Sequence, residues 1–403
     1  MSELYALPEG WEWRNINDII QKTKNKIPKN EPNREFTYID ISSIDNSLFS
    51  IVSPKRLTGN EAPSRAKKEV IRNDIIFATT RPNLKNIAII KDEYDNPIAS
   101  TGFCILRVNE QSEFQYLFFY LLSNIFYKQV EKNIRGAQYP AISDKDVKTI
   151  NIPLPPLKEQ KRIVAKLDNL FTKIDQSIAL HQKNIDEVEG FMGSVLSETF
   201  TELETKYGTN TLSSIVKINS GIALPKIFKG IESAKGEFDF FKVAQMNNDN
   251  KIMKNANLKF THQEAIEHKI KLFPKGSILI PKRGGAILTN KKRILINDAS
   301  YDSNIMGLKA DNSLISDDFL FAYLNSIDLK NFIDTTTIPQ LNNKHIDMMK
   351  LSIPPLKVQQ KTVIYLNNIS EKTEAIKTIQ KEKMQSLKAL KASILDRAFR
   401  GEL

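Results

Sequence analysis

The sequence has almost no cysteine and no long apolar run, and both absences narrow the kinds of protein it can encode. Cys104 is the single cysteine, which excludes an internal disulfide and a metal site built from several cysteines. Its apolar neighbours, Phe103 to Leu106, favour a buried strand residue over a reactive thiol. No run of about 18 apolar residues occurs, and the N-terminus lacks the pattern of a signal peptide. We therefore expect a cytoplasmic protein with no membrane partner.

Motifs of enzymes that act on DNA are also missing. The sequence has no Asn-Pro-Pro-aromatic or Asp-Pro-Pro-aromatic tetrapeptide, no Gly-x-Gly loop after a strand and no phosphate-binding loop, which argues against an adenine methyltransferase or an ATPase. None of its four histidines forms a His-Glu-x-x-His zinc motif. Glu267–Lys269 fits the Glu-x-Lys of a metal-dependent nuclease, but this tripeptide is common by chance. We expect a chain that is not an enzyme and binds no cofactor or metal itself.

Basic residues outnumber acidic ones. The chain has 58 lysines and arginines against 47 aspartates and glutamates, a net charge of +11 and an isoelectric point near 9.3. This balance suits a polyanionic partner such as nucleic acid. Many basic proteins bind no nucleic acid, however, so the position of the charge matters more. At 403 residues the chain exceeds what one hydrophobic core usually organises, which favours two or more domains.

A proline-rich element occurs twice and divides the chain into similar halves. Ile152–Lys161 (IPLPPLKEQK) and Leu351–Gln360 (LSIPPLKVQQ) carry Pro-Pro-Leu triplets 199 residues apart. The same order of β-like runs precedes each copy. An offset of 202 residues between these runs places Arg81 and Arg283 at the same repeat position. The sequence thus predicts one α+β scaffold that is present twice and carries two different surfaces.

Short apolar runs bounded by Asn, Asp, Pro, Gly or Ser predict the strands of both halves. A segment rich in Leu, Phe and Tyr, without Gly or Pro, predicts a buried helix after the strands of each half. In the first half the predicted strands are 36–41, 75–79, 87–90 and 103–108, and the helix is 115–130. In the second half the strands are 238–243, 277–283 and 304–309, and the helix is 318–325.

Each proline-rich element opens a long segment with the 3-4 apolar spacing of a coiled-coil seam. The first arm extends from Lys158 to about Glu204, and the second begins at Val358. Because an isolated helix of this kind is marginal, we expect the arms to pack antiparallel on each other. Two independent arms used for homo-oligomerisation are the alternative. The predicted seam and partner-binding residues are Leu167, Phe171, Ile174, Ile178 and Ile185, then Leu366, Ile369, Ile376, Leu387, Leu390 and Ile394.

The densest basic run lies in the second half, between residues 282 and 293, where no acidic residue interrupts it. It predicts a β-ribbon whose glycine turn allows close approach to phosphate. The matching segment 79–86 of the first half offers arginine and asparagine donors for base edges. The polar loops 135–140 and 336–340 are further candidates, and a solvated charged hairpin is the alternative. The predicted DNA-binding residues are Arg81, Asn83, Lys85, Gln138, Tyr139, Lys282, Arg283, Lys291, Lys292, Arg293 and Gln340.

Three motifs together resemble the specificity subunit of type I restriction-modification systems, and the likeness extends over essentially the whole chain. They are residues 7–11 (LPEGW), residues 153–164 (PLPPLKEQKRIV) and residues 393–403 (SILDRAFRGEL). The second proline-rich element departs from the family pattern, because it has Val358-Gln359-Gln360 where Glu-Gln-Lys or Glu-Gln-Arg is usual.

The resemblance implies two tandem α/β target recognition domains, separated by two long helices packed as an antiparallel coiled coil and related by a pseudo-twofold repeat. The implied domains are residues 1–152 and 205–351, and the spacer helices are residues 153–204 and 352–403. Each domain would read one half of a bipartite, asymmetric DNA site, with the helices setting the spacing.

The same resemblance implies the partners. They are double-stranded DNA, two modification subunits that bind S-adenosylmethionine and methylate adenine, and restriction subunits that use ATP and magnesium. A recognition module of a related system, of type IIB or IIG, is the alternative within this class. An enzyme with degenerate motifs and a coiled-coil scaffold with protein partners only are the alternatives outside it.

Overall fold

The computed structural model describes residues 5–91, 94–232, 235–247, 251–333 and 338–403. The chain forms two compact units, and each includes a segment of both long helices. Unit 1 consists of Met1–His181 with Lys381–Leu403, and unit 2 of Gln182–Gln380. The finer division into residues 1–152, 153–204, 205–351 and 352–403 stays a prediction.

Unit 1 is a mixed α+β domain with two four-stranded sheets, in the orders β2-β11-β8-β9 and β6-β3-β10-β7. Its helices outside the long pair are α1 (Phe114–Leu122), α2 (Asn124–Asn133) and α3 (Asp144–Lys148). Its strands are β1 (Glu12–Asn15), β2 (Ile20–Gln21), β3 (Glu35–Ile39), β4 (Ile44–Asp45), β5 (Ser50–Ile51), β6 (Lys55–Thr58), β7 (Ala66–Glu69), β8 (Ile75–Ala78), β9 (Ile87–Ile89), β10 (Ile98–Ser100), β11 (Phe103–Val108) and β12 (Asn151–Leu154).

The central strands of the first sheet are apolar on both faces, because each face is covered. Strands β8 and β11 pair antiparallel, from Phe103 opposite Ala78 to Leu106 opposite Ile75. Alternate side chains of a strand point to opposite faces. Ile75 therefore packs with helices α1 and α2, whereas Ala78 belongs to a second cluster on the other face. The predicted burial of Cys104 in this sheet is confirmed.

Unit 2 repeats this topology. Its four-stranded sheet has the order β14-β20-β17-β18, and its second sheet has the order β16-β15-β19. Strands β15 and β19 pair parallel, as β3 and β10 do in unit 1. Its short helices are α5 (His262–Glu267), α6 (Asp317–Ser326) and α7 (Asn343–Asp347). Its strands are β13 (Asn210–Thr211), β14 (Val216–Ser220), β15 (Phe238–Phe241), β16 (Leu258–Phe260), β17 (Ile278–Pro281), β18 (Arg293–Ile294), β19 (Ser300–Tyr301), β20 (Ile305–Ala310) and β21 (Lys350–Leu351).

The two long helices, α4 (Leu157–Tyr207) and α8 (Leu356–Ala398), pack antiparallel, and the direction is evident within unit 1. Lys391 Nζ donates to the Asp175 carboxylate at 2.8 Å. Twelve residues further along, Leu403 accepts a hydrogen bond from Arg162 at 2.7 Å. Residue numbers thus rise along one segment as they fall along the other. In unit 2 a further ion pair joins the helices, between Lys377 and Glu189 at 3.1 Å.

At two steps the observed seam of α8 lies one residue further along the chain than predicted. Ile376 is 41% exposed and Leu390 is 49% exposed, so their predicted place in the seam is wrong. The half-buried neighbours Lys377 and Lys391 occupy those steps. Their aliphatic stems lie along the seam while their ammonium groups reach acids of α4, as long basic side chains do at helix interfaces.

The other predicted seam residues lie in or against the hydrophobic clusters of their own units. Those of α4 follow the predicted alternation, with side chains that are buried or half-buried. The residues in or against these clusters are Leu167, Phe171, Ile174 and Ile178 of α4 with Leu387 and Ile394 of α8 in unit 1, and Leu366 and Ile369 of α8 in unit 2. Ile185 of α4 is also buried, in unit 2.

The predicted helix over 115–130 is two helices, because Ser123 interrupts it. The Ser123 side chain accepts a hydrogen bond from the backbone of Phe126 at 3.2 Å and caps α2. Serine favours this cap geometry over a helix interior because its hydroxyl satisfies a free backbone N–H group.

A buried glutamine fastens each Pro-Pro-Leu junction to the domain in front of it. In unit 1, Gln160 Nε2 donates to Pro155 O at 2.9 Å, and its Oε1 accepts from Glu113 N at 2.9 Å, at the start of α1. In unit 2, Gln359 donates to the backbone oxygens of Pro354 and Leu314, both at 2.8 Å. The second proline-rich element keeps this glutamine although its neighbours depart from the family pattern.

Candidate nucleic-acid interface

The turn after strand β8 brings together several predicted DNA-binding residues of unit 1. Arg81 N donates to Pro140 O at 2.7 Å, which joins the turn to the polar loop before α3. The Arg81 guanidinium carbon lies 5.7 Å from the centre of the Tyr139 ring, within the range of a cation–π contact. Arg81 has a φ of 50°, a conformation that costs non-glycine residues about 1 kcal/mol or more. Arg81, Asn83, Gln138 and Tyr139 are all exposed.

The turn after strand β17 has the same construction in unit 2. Gly284 N donates to Pro339 O at 2.8 Å, and Leu341 N donates to Lys282 O at 2.9 Å. A bridge between Arg283 and Gln340 completes the ladder. Lys282, Arg283 and Gln340 are therefore brought together, with Arg283 and Gln340 exposed. Thr336 and Thr337 of the predicted loop lie outside the described residues.

These hydrogen bonds correct the predicted alignment of the two halves. Arg81 and Gly284 each donate to the proline of the neighbouring loop, and both have positive φ. Arg81 therefore corresponds to Gly284, and Arg283 corresponds to Thr80, which forms the equivalent bridge with Ala141. The prediction that Arg81 and Arg283 share a repeat position is wrong. Apolar strand patterns locate a strand, but only the ladder fixes its register to one residue.

Two of the predicted DNA-binding residues are buried in unit 2. Lys292 Nζ donates to Asn290 Oδ1 at 2.7 Å and to Ile327 O at 2.8 Å. Arg293 pairs with Leu279 in the sheet and donates to Lys292 O at 2.7 Å. Lys292 holds the turn against the segment after α6, and both side chains are buried, so the prediction that they present charge to DNA is wrong. Strands β17 and β18 do pair antiparallel, but over two residues each, and a 3-10 helix (Gly285–Thr289) rather than a tight glycine turn lies between them.

Lys85 and Lys291 are less exposed than their turns suggest. The Lys85 ammonium lies 4.3 Å from the centre of the Tyr127 ring. Burial lowers the pKa of Lys85, while Asp396 opposes the shift. Lys291 Nζ lies 3.4 Å from Asn247 Oδ1. Lys85 thus anchors its turn to α2, and Arg81, Asn83, Tyr139, Gln138, Arg283 and Gln340 are the better-placed candidates.

Lys292, next to the turn after strand β17, makes the stability of the protein depend on pH. Burial lowers the pKa of Lys292 to about 7, and Asp328 opposes the shift. An unfolded lysine titrates near 10.5, so between these values the unfolded chain binds more protons and stability rises with pH. We expect the thermal midpoint of the wild-type protein, relative to Lys292→Met, to rise from about pH 7 to about pH 9. Lys291→Met should keep the wild-type dependence, and equal pH profiles for all three proteins would contradict the expectation.

Groups that could support catalysis are sparse in the parts of the chain that the structure describes. Among those residues, no group of three or more His, Cys, Asp or Glu could hold a metal ion. The His268 ring of the Glu-x-Lys tripeptide packs against Phe228, with ring centres 5.2 Å apart. None of the helices within the described ranges is long and apolar enough to cross a membrane.

Comparison with known proteins gives one family for both halves of the chain. The family model "Type I restriction modification DNA specificity domain" matches residues 8–190 and 204–383. The putative type I restriction enzyme MjaX specificity subunit of Methanocaldococcus jannaschii is 23% identical, over 96% of this chain and 93% of that protein. The EcoKI specificity subunit of Escherichia coli K12 is 21% identical, over 98% and 90% of the respective chains.

Two solved structures agree with this result. A chain from a structure on complex assembly and conformational transition of the type I R-M system has a TM-score of 0.83 and 31% identity, and the match covers 99% of this chain and all of the other. The crystal structure of the HsdS subunit from Thermoanaerobacter tengcongensis has a TM-score of 0.57 and 32% identity, with 99% of each chain covered.

Proposed function

This chain belongs to the family of type I restriction-modification DNA specificity domains, and we propose that it acts as the specificity subunit of such a system. Each unit contributes one recognition domain that reads one half of a bipartite DNA site. The observation that carries this proposal is the repeated turn, which has the same backbone ladder but different side chains in the two units. Arg81 stands where unit 2 has Gly284, and Tyr139 stands where unit 2 has Ile338.

The difference between the turns supports an asymmetric site. Identical recognition surfaces would read identical half-sites, as symmetric DNA-binding dimers do. Arginine and asparagine donors match guanine and adenine edges in the major groove, and unit 1 presents both types at its turn. Unit 2 presents Arg283 and Gln340 from different positions of the ladder. We therefore assign different base sequences to the two half-sites and the spacing between them to the helical pair.

The partners follow from the same proposal. Two modification subunits with S-adenosylmethionine would methylate adenine, and restriction subunits with ATP and magnesium would cleave, so this chain would hold no cofactor. The assembly would act on double-stranded DNA in the cytoplasm. Similarity along nearly the full length of type I specificity subunits favours this assignment over a type IIB or IIG module.

The proposed function is tested by sequencing the methylated positions in a host that carries this chain with its modification subunits. We expect methylated adenines at one bipartite site with two different halves and a fixed spacing. Deleting the chain should abolish that methylation. A modification pattern that does not change when the chain is deleted would overturn the proposal, and so would equal binding of the assembled complex to all DNA sequences.

The exposed apolar residues of α8 provide a test of assembly. Ile376 and Ile379 are both exposed on one side of the helix in unit 2. Because a large part of each side chain is open to solvent, we expect Ile376→Lys with Ile379→Lys to weaken association with the modification subunit by more than about tenfold, since buried apolar contacts dominate such interfaces. Thr378→Lys, on another side of the same turn, is the matched control.

The assembly test is read by titrating the modification subunit and following complex size. The unfolding midpoint of the double variant should match that of the wild-type chain, because neither isoleucine is buried. Normal assembly by the double variant would show that this side of α8 is not the docking surface.

A further inference from the structure

We propose that Ile338 contacts the methyl group of a thymine and thereby helps to define the half-site read by unit 2. This inference rests on the proposed function and adds a residue that the basic pattern of the sequence does not reveal. Ile338 is 62% exposed, and Tyr139, its counterpart in unit 1, is 69% exposed. Each directly precedes the proline that accepts a hydrogen bond from the turn after strand β8 in unit 1 or after strand β17 in unit 2.

The equivalence of the two positions carries more weight than the exposure of either. Single exposed apolar residues are common on protein surfaces and need no explanation. Here both units place a large exposed apolar side chain at the same ladder position, although the neighbouring residues differ. Tyr139 lies beside Arg81. Ile338 lies two residues before Gln340, which forms a β-bridge with Arg283. A shared position beside a cationic turn indicates a shared role.

The backbone at both positions is restricted before any partner binds. A residue that precedes proline favours extended conformations. The following proline is in turn fixed by its hydrogen bond, at 2.8 Å from Gly284 N in unit 2 and at 2.7 Å from Arg81 N in unit 1. Less backbone entropy is therefore lost when Ile338 makes a contact. A positioned apolar group is suited to recognising shape and methyl groups.

The chemistry of isoleucine then selects the base. Ile338 offers no hydrogen bond, so it cannot distinguish donors from acceptors on a base edge. In the major groove the thymine C5-methyl is the apolar group that side chains recognise. The arginine and glutamine next to Ile338 supply the hydrogen-bond donors for the neighbouring bases. Tyr139 differs because it has a hydroxyl and lies within cation–π range of Arg81, which fits the two units to different bases.

Replacing thymine with deoxyuridine removes only the methyl group and therefore isolates this contact. The complex of the chain with its modification subunits is titrated with duplexes in which each thymine of its methylated site is replaced in turn. We expect one replacement, in one half-site, to weaken binding about three- to fivefold, the effect of one buried methyl. Ile338→Ala should bind the thymine and deoxyuridine duplexes equally at that position.

Tyr139→Ala is the matched control, because it removes the counterpart side chain in the other unit. It should keep the thymine–deoxyuridine difference that Ile338→Ala loses. The inference is overturned if no thymine is sensitive, or if Ile338→Ala keeps the sensitivity. It is also overturned if Ile338→Ala impairs association with the modification subunits and not DNA binding. A complex that prefers no sequence at all would instead refute the proposed function.

Discussion

Replacing Arg81 with alanine is expected to weaken binding of the assembled complex to its site by about 5- to 150-fold, the loss of one bidentate base contact. Arg81 is exposed, its backbone is fixed by Pro140, and its guanidinium is held beside Tyr139. The loss should be largest for the site itself and small for unrelated DNA. The measurement is a competition titration of both DNAs at one salt concentration, because phosphate contacts are salt-dependent.

Two further variants separate base recognition from general charge. Arg56→Ala removes an equal charge from the same unit, and the Arg56 side chain is 76% exposed on the other sheet. It should reduce affinity for both DNAs alike, and by less. Arg81→Gly should weaken binding as Arg81→Ala does. It should also relieve the positive φ and so stabilise the protein slightly, by roughly 1 kcal/mol. Equal losses from Arg81→Ala and Arg56→Ala would contradict a base-reading role.

Replacing Gln359 with leucine is expected to have the largest effect on stability. Gln359 is buried and makes three hydrogen bonds, to Pro354 O, Leu314 O and Ser316 N. Leucine is similar in size but leaves these backbone groups without a partner, at about 1–3 kcal/mol for each group. We expect unit 2 to lose roughly 3 kcal/mol or more. Gln360→Leu changes the exposed neighbouring residue and should have little effect on stability.

The functional consequence of Gln359→Leu concerns the spacing of the site. Gln359 ties the start of α8 to the segment before α6, so its loss should loosen the domain on its helix. We expect the assembled complex to tolerate sites with altered spacing while keeping its preference for each half-site. Hydrogen exchange at residues 314–316 and a set of duplexes with varied spacers measure the two effects. Unchanged exchange in Gln359→Leu would rule out this role, and Gln160→Leu gives the corresponding test in unit 1.

Features that depend on local pattern could be predicted from the sequence. Strand β11 was predicted with its observed bounds, and the seam of α4 follows the predicted alternation, because side-chain period is a local property. The predicted seam of α8 differs from the observed one by one residue at Ile376 and Leu390, because the 3-4 spacing rule counts only apolar residues. Lys377 and Lys391 enter the seam through their stems, and each has an acidic partner on α4.

The candidate site was harder to predict, because burial and register arise from tertiary contacts. The basic run predicts that Lys292 and Arg293 bind DNA. The structure instead buries both, and Lys292 donates to Asn290 and Ile327, neither of which the run indicates. Ile338 has neither a charge nor a hydrogen-bond donor, the two features by which a sequence indicates a DNA-binding residue. The sequence indicates Ile338 only through the repeat: Ile338-Pro339 follows Tyr139-Pro140 at an offset of 199 residues.

The composition of the two units bears on how the protein folds during synthesis. Unit 2 is one continuous segment, whereas the hydrophobic core of unit 1 includes Leu395, Ala398 and Phe399. Phe399 is fully buried against Tyr116 and Tyr120, with ring centres 5.1 and 5.2 Å apart. The half of the chain that the ribosome makes first therefore acquires its complete core last. Residues 5–181 can complete this hydrophobic core only after residues 381–403 have been synthesised.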